Sequence, residues 1–158
     1  MQNHFYISHN WAEDGSNHLR AAQVASSLRA LGYKVCFDGD GLSGDIASQI
    51  EAGIAKSEIV LCFITRVYLE KIDAATTKRD VDWCVYEFKA ALIFHGRKHM
   101  MAIVMEQELT NQSNWFGPVK AAFAGSLFVN FANKDKLDQC VGDICREANA
   151  RMDKTLGA

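Results

Sequence analysis

Trp83 and Glu87 stand one helical turn apart in the segment Asp82-Trp-Cys-Val-Tyr-Glu87, and residues at i and i+4 share a helix face. An aromatic ring beside a carboxylate on a half-exposed face is what a nucleoside site requires. The ring offers a surface for stacking, and the carboxylate accepts hydrogen bonds from ribose hydroxyls. The same spacing also suits a Trp83 packed beneath the preceding loop and a Glu87 that is a solvated surface charge. Spacing alone does not choose between them.

Other chemistry is less well supplied. Gly39-Asp-Gly-Leu-Ser-Gly44 matches the G-x-G-x-x-G pattern of dinucleotide-binding turns and lies between an expected strand and an expected helix. Asp38, Asp40 and Asp45 surround it, and three carboxylates repel the pyrophosphate that such a turn holds at a helix N-terminus. Glu58, the acid nearest the required distance, begins the next strand and cannot reach a ribose. The segment reads as an acidic, glycine-bearing strand-to-helix loop. His95 and His99 have a metal-ligand spacing, but Gly96 between them ends the helix, so the pair is expected to diverge, and without a third ligand no metal site is expected. No G-x-S-x-G elbow marks a hydrolase, and Ser8 at a strand end is a generic position. The third expected strand ends Phe63-Ile-Thr65, with no Asp to accept a phosphoryl group.

The five cysteines, Cys36, Cys62, Cys84, Cys140 and Cys145, are odd in number, form no C-x-x-C pair and mostly sit in apolar runs. Free buried thiols in a reducing, cytoplasmic setting fit this usage. With 158 residues, 49% of them hydrophobic, and a net charge of -2, the chain suits one globular domain over 1–158 with a core from about residue 4 to residue 152. The longest apolar runs, Ile59 to Ile64 and Met100 to Met105, are far short of the roughly 20 residues of a membrane helix. Charge is balanced between the two halves, so neither nucleic acid nor another polyanion is an expected partner.

The elements that must position these residues follow from periodicity. His4 to Ser8, Lys34 to Phe37, Glu58 to Thr65, Met100 to Met105 and Leu127 to Phe131 read as strands, the third apolar throughout, as in a parallel sheet covered on both faces. Ala21, Val24, Ala25, Leu28 and Leu31 form a helical stripe stopped by Gly32. Ile46, Ile50, Gly53 and Ile54 form another, capped by Ser43 or Asp45. After a loop from Arg66 to Lys78, a helix from about Arg79 to His95 places Val81, Cys84, Val85, Phe88 and Leu92 inward. A second stripe on that helix carries Asp80, Trp83, Glu87 and Phe94. Thr110 to Gly125 reads as a loop with a short helix near Pro118, and Leu137, Cys140, Val141, Ile144, Cys145 and Ala148 close the chain with an amphipathic helix. Alternating strands and helices predict a flavodoxin-like α/β fold, a three-layer sandwich with a five-stranded parallel sheet and helices on both faces. Ligands in such folds bind beyond the carboxyl ends of the strands, here Ser8 to Trp11, Phe37 to Gly44 and Thr65 onward.

On these residues the chain resembles the Toll/interleukin-1 receptor (TIR) domains. Phe5-Tyr-Ile-Ser8 is similar to the family's opening F-I-S strand, Asp38 to Asp45 takes the place of its BB loop, and Trp83-Cys-Val-Tyr-Glu87 resembles the W-C-x-x-E stretch of its NAD+-cleaving members. His4 replaces the acid that usually precedes the first-strand motif. The loop also lacks the R-D and P-G pairs of receptor and adaptor members, which weighs against an adaptor-type interface.

The resemblance implies an NAD+ nucleosidase, a glycohydrolase or ADP-ribosyl cyclase serving immune or cell-death signalling, with NAD+ as substrate and no cofactor. Glu87 would be catalytic. His9, Asn10, Trp11, Phe37, Asp38 and Trp83 would contact the substrate, and Gly39, Asp40, Gly41 and Leu42 would form a loop gate. Related enzymatic members build sites between neighbouring subunits, which implies activation by homotypic TIR–TIR self-association. Trp115 and Phe116, beside Gly117 and Pro118, would serve as an interface anchor or base-stacking platform, unless their loop folds over its own domain. The alternatives are a non-catalytic TIR scaffold that recruits partners, and a nucleoside deoxyribosyltransferase whose glutamate attacks C1′ covalently.

Overall fold

A computed structural model describes residues 3–12, 14–37, 44–74 and 82–156. Five parallel strands, β1 (Asn3–Ser8), β2 (Val35–Cys36), β3 (Ser57–Ile64), β4 (Met100–Val104) and β5 (Phe128–Asn130), lie in the order β2-β1-β3-β4-β5. This is the flavodoxin-like order expected, with its switch point at β1 and β3. The helices are α1 (Ser16–Ala30), α2 (Ile46–Ala55), α3 (Arg66–Asp73), α4 (Trp83–Phe94), α5 (Gly117–Phe123) and α6 (Leu137–Leu156). Leu31 caps α1 and Gly32 follows it at φ 94°, the left-handed geometry that a C′ glycine supplies. Asp45, one of the two caps expected, accepts the Ser48 backbone N–H at 3.1 Å.

Strand alternation divides the interior into two cores. Tyr6 of β1, Val60, Cys62 and Ile64 of β3, and Met100, Ala102 and Val104 of β4 pack toward α2, α3, α4 and α5. Phe5 and Ile7, with Ile59, Leu61 and Phe63, and Met101 and Ile103, pack toward α1 and α6. One residue's shift along a strand exchanges the faces. Tyr6 and Ser8 share a parity, and both side chains reach Glu87 of α4.

Three sequence expectations need correction. Arg66 to Asp73 is not loop but α3, because Thr65 caps it by accepting the Tyr68 backbone N–H at 3.1 Å and Tyr68, Leu69 and Ile72 bury one face. The next helix begins at Trp83, with Asp82 as its N-cap, while Asp80 and Val81 lie outside the described residues. The His95 and His99 rings do not diverge. Their centroids stay 5.9 Å apart across Gly96, and His95 Nε2 is tied to the Ile54 carbonyl at 2.5 Å.

Candidate functional site

The carboxyl ends of β1 and β3 meet at the switch point. Thr65 Oγ1 donates to Asn10 Oδ1 at 2.6 Å, joining the segment after β1 to the start of α3. Beside this bridge opens a cleft of about 260 Å³, lined among the described residues by His9, Asn10, Trp11, Lys71, Asp82, Trp83, Cys84 and Glu87. Two helices, α3 and α4, and the segment after β1 therefore converge where the fold class puts its ligands.

Glu87 does not occupy a half-exposed face. It is only 2% exposed, because α4 is wedged between α2 and α3 and turns this position toward β1. Its carboxylate accepts hydrogen bonds from the Tyr6 hydroxyl and, at 3.4 Å, from Ser8 Oγ. Ser8 Oγ lies 3.1 Å from the Tyr68 hydroxyl, which extends the polar network through an otherwise apolar core. Such networks hold a charge inside a protein only where donors replace its lost water. The expected second stripe of α4 is thus split. Trp83 is 39% exposed and meets Tyr86 edge-on, and Phe94 is exposed, while Glu87 is in the interior.

The rim is aromatic. The rings of Trp11 and His18 stack at 3.6 Å and 18°, and His18 stacks in turn on Phe37 at 5.0 Å. Trp11 is 55% exposed, whereas Phe37 is buried under His9 and His18 and does not line the cleft. Asp38 and the gate residues Gly39, Asp40, Gly41 and Leu42 lie outside the described residues. Lys71 supplies a cation to the cleft, with Nζ 3.2 Å from Asp82 Oδ2. Asp82 also caps α4 by accepting the Cys84 backbone N–H at 3.0 Å. Asn10 Nδ2 is buried with no hydrogen-bond partner among the described residues, so an amide donor is left for whatever enters.

Burial, and then the neighbouring His18, bring the His9 imidazole down to about 3 from an ordinary 6.5. Its Nε2 lies 2.9 Å from His18 Nδ1, one nitrogen donating and the other accepting. The folded chain holds His9 neutral, whereas the unfolded chain binds a proton below 6.5. Its contribution to stability is therefore complete above pH 6.5 and is lost as pH falls toward 3. The wild-type melting temperature is expected to drop through that window, with at most about 1.4 kcal/mol lost per pH unit from this group. His9→Gln should flatten the drop. An identical pH dependence in wild type and variant would remove His9 as its source. Burial also raises the Cys62 thiol to about 12, and the Cys84 thiol is raised for the same leading reason, so both stay protonated and neither supplies a thiolate.

A family model of the TIR domain matches residues 5–142. The chain belongs to the TIR domain family. No curated protein matches it at a significant level. Among solved structures, a prokaryotic SEFIR domain superposes with a TM-score of 0.67 at 17% identity, over 93% of this chain and 92% of that one. The TIR domains of the activated Roq1 resistosome, which directly recognises the pathogen effector XopQ, give 0.60 at 14% identity, over 92% of this chain and 99% of theirs. A metazoan TIR-STING receptor from C. gigas gives 0.55 at 15% identity, over 88% of this chain and 40% of the receptor. These likenesses establish the TIR fold.

Within this TIR domain, five of the expected site residues, His9, Asn10, Trp11, Trp83 and Glu87, meet at one cleft. Trp115 does not join them and is no exposed anchor. It is 3% exposed, donates its indole N–H to the Leu109 carbonyl at 2.7 Å, and packs against Phe123 and Phe128, so its loop folds over its own domain. Phe116 is partly buried against the same core. Sequence reasoning missed Tyr6, Tyr68, His18 and Lys71, and passed over Ser8 as a generic strand-end position. Lys71 fell in a segment read as loop, although Thr65 with Tyr68, Leu69 and Ile72 was the signal for a short capped helix. Among the described residues no helix is long and apolar enough to cross a membrane.

Proposed function

We propose that this TIR domain is a cytoplasmic NAD+ nucleosidase that cleaves the nicotinamide–ribose bond in immune or cell-death signalling, with Glu87 as its catalytic residue. The observation that carries this reading is an acid held by the hydroxyls of Tyr6 and Ser8 at the edge of a cleft rimmed by Trp11 and Trp83. Burying a carboxylate costs several kcal/mol unless donors compensate it, and a recruitment scaffold has no use for one at this place.

The chemistry asks little of the protein. As the bond to nicotinamide breaks, positive charge develops at C1′ of the ribose, and the pyridinium departs as neutral nicotinamide without needing a proton. One carboxylate suffices to accept hydrogen bonds from the ribose hydroxyls and to stabilise that charge. Trp83 walls the nicotinamide half and Trp11 offers a ring face at the rim, while Asn10 Nδ2 donates to a substrate oxygen. Water at C1′ gives ADP-ribose; attack by adenine gives a cyclic ADP-ribose. NAD+ is consumed as substrate.

Self-association completes the site. A cleft of about 260 Å³ is smaller than the ~300–1,000 Å³ of pockets that enclose a drug-sized ligand. Its described lining has a single lysine, already paired with Asp82. The adenosine half of NAD+ therefore needs surface from a second copy. The Roq1 TIR domains, solved within an activated resistosome, are consistent with such assembly.

The test is incubation of the pure protein with NAD+, from nanomolar to high micromolar protein, with the products resolved by chromatography. Nicotinamide release with specific activity rising steeply with protein concentration is expected. Constant specific activity from a monodisperse monomer would remove the assembly requirement. Absence of nicotinamide at every concentration, with assembly visible by light scattering, would establish the scaffold instead.

A further inference from the structure

We propose that Tyr6 is the positioning residue of this site, its phenol seated in a slot left open by Gly53 so that its hydroxyl fixes the Glu87 carboxylate and favours the ionised form. The catalytic meaning of this rests on the NAD+ reading above; the structural claim does not.

Tyr6 is buried in the core between the sheet and α2, α3 and α4, a position that a phenylalanine would fill equally well by size. The added hydroxyl must find a partner there, and it donates to Glu87 Oε2, 81 residues away in the chain. The space for the ring is made by a missing side chain. A Cβ on Gly53 of α2 would lie 3.0 Å from Tyr6 Cε2, 3.2 Å from Cδ2 and 2.9 Å from Cys36 Sγ. The Cys36 contact is closer than real Cβ atoms come and the two Tyr6 contacts are tighter than nearly all of them, so a larger residue at 53 shifts the Cys36 side chain and presses on the ring. Ser8 Oγ, at 3.4 Å from Oε1, is the weaker donor by distance.

A carboxylate that is to stabilise charge developing at C1′ must be ionised and held still. A donor on its oxygen does both, because hydrogen bonds to the charged form lower a carboxyl group's pKa. Other described groups also lie near Glu87. Cys62 of β3 and Cys84 of α4 are thiols, and Tyr68 of α3 is a neutral phenol held above its ordinary range by burial. His9, neutral by burial, shares the cleft, as do Lys71 and Asp82, which pair with each other.

Tyr6→Phe keeps the ring and removes the hydroxyl. The Glu87 carboxyl carbon, followed by NMR in 13C-glutamate-labelled protein from pH 3 to 8, should titrate about one pH unit higher in the variant. In parallel, kcat for NAD+ should fall about tenfold or more with KM within twofold, and the acid limb of the pH profile should move up with the NMR midpoint. Gly53→Ala, which retains both polar groups but crowds the ring, should move the midpoint the same way; it decides the matter should Tyr6→Phe not fold. An unchanged midpoint overturns the proposal, as does a variant altered only in KM. A wild type that cleaves no NAD+ at any concentration ends the nucleosidase reading, while the NMR titration still judges the Tyr6–Glu87 contact.

Discussion

Glu87→Gln is expected to lower NAD+ cleavage at least about a hundredfold, the scale of losing one charge contact made in the transition state, in a domain that remains folded. Glutamine matches the shape of glutamate and keeps an oxygen that accepts the Tyr6 hydroxyl. It cannot offer a full negative charge to a developing cation at C1′. Alanine is the poorer choice, because Glu87 is buried in the core. Truncation leaves a void where the Tyr6 and Ser8 hydroxyls meet the carboxylate, and losing a buried hydrogen-bond partner costs roughly 1–3 kcal/mol, so lost activity and lost structure become entangled. The measurement is nicotinamide release at saturating NAD+, normalised to folded protein by circular dichroism. Turnover equal to wild type in a folded Gln variant would remove Glu87 from the chemistry.

Trp115→Ala is expected to cut stability by about 3–5 kcal/mol, the range for removing a large aromatic from a core. It also leaves the Leu109 carbonyl without its indole donor. In a chain of this size each kcal/mol moves the melting temperature by ~2–4 °C, so a fall of roughly 6–20 °C should be seen. Activity per folded molecule and its concentration dependence should not change, since Trp115 packs on Phe123 and Phe128 of its own domain. A variant that melts normally yet no longer self-associates would return Trp115 to an interface.

Strand and helix order was legible because β3 and β4 are built on runs of apolar residues and each long helix repeats its apolar residues about every 3.6 positions. Helix α3 was not, because eight residues allow barely two turns and its stripe is interleaved with Arg66, Glu70, Lys71 and Asp73. At the site, Trp83 and Glu87 stood out by residue type and spacing. Whether Glu87 faced solvent or sheet depended on how α4 packs against α2, α3 and β1, which no local pattern encodes. Tyr6 was hidden for a related reason. A tyrosine in a first strand looks like a core aromatic until its partner, 81 residues on, is seen. Trp115 and Phe116 misled because large aromatics next to glycine and proline suggest a protruding loop, whereas here they anchor one.

The alternation that sends Phe5 and Ile7 to one side of the sheet and Tyr6 and Ser8 to the other makes β1 a partition as well as a support. Substitutions beneath α1 and α6 act on a compartment that does not contain the carboxylate, and those beneath α2, α3 and α4 act on the one that does. The domain can therefore be made sturdier from its α1–α6 side, by filling or rigidifying that half, without retuning the acid. Close to Tyr6, Ser8 and Tyr68 on the opposite half, a change made for stability also reaches the carboxylate.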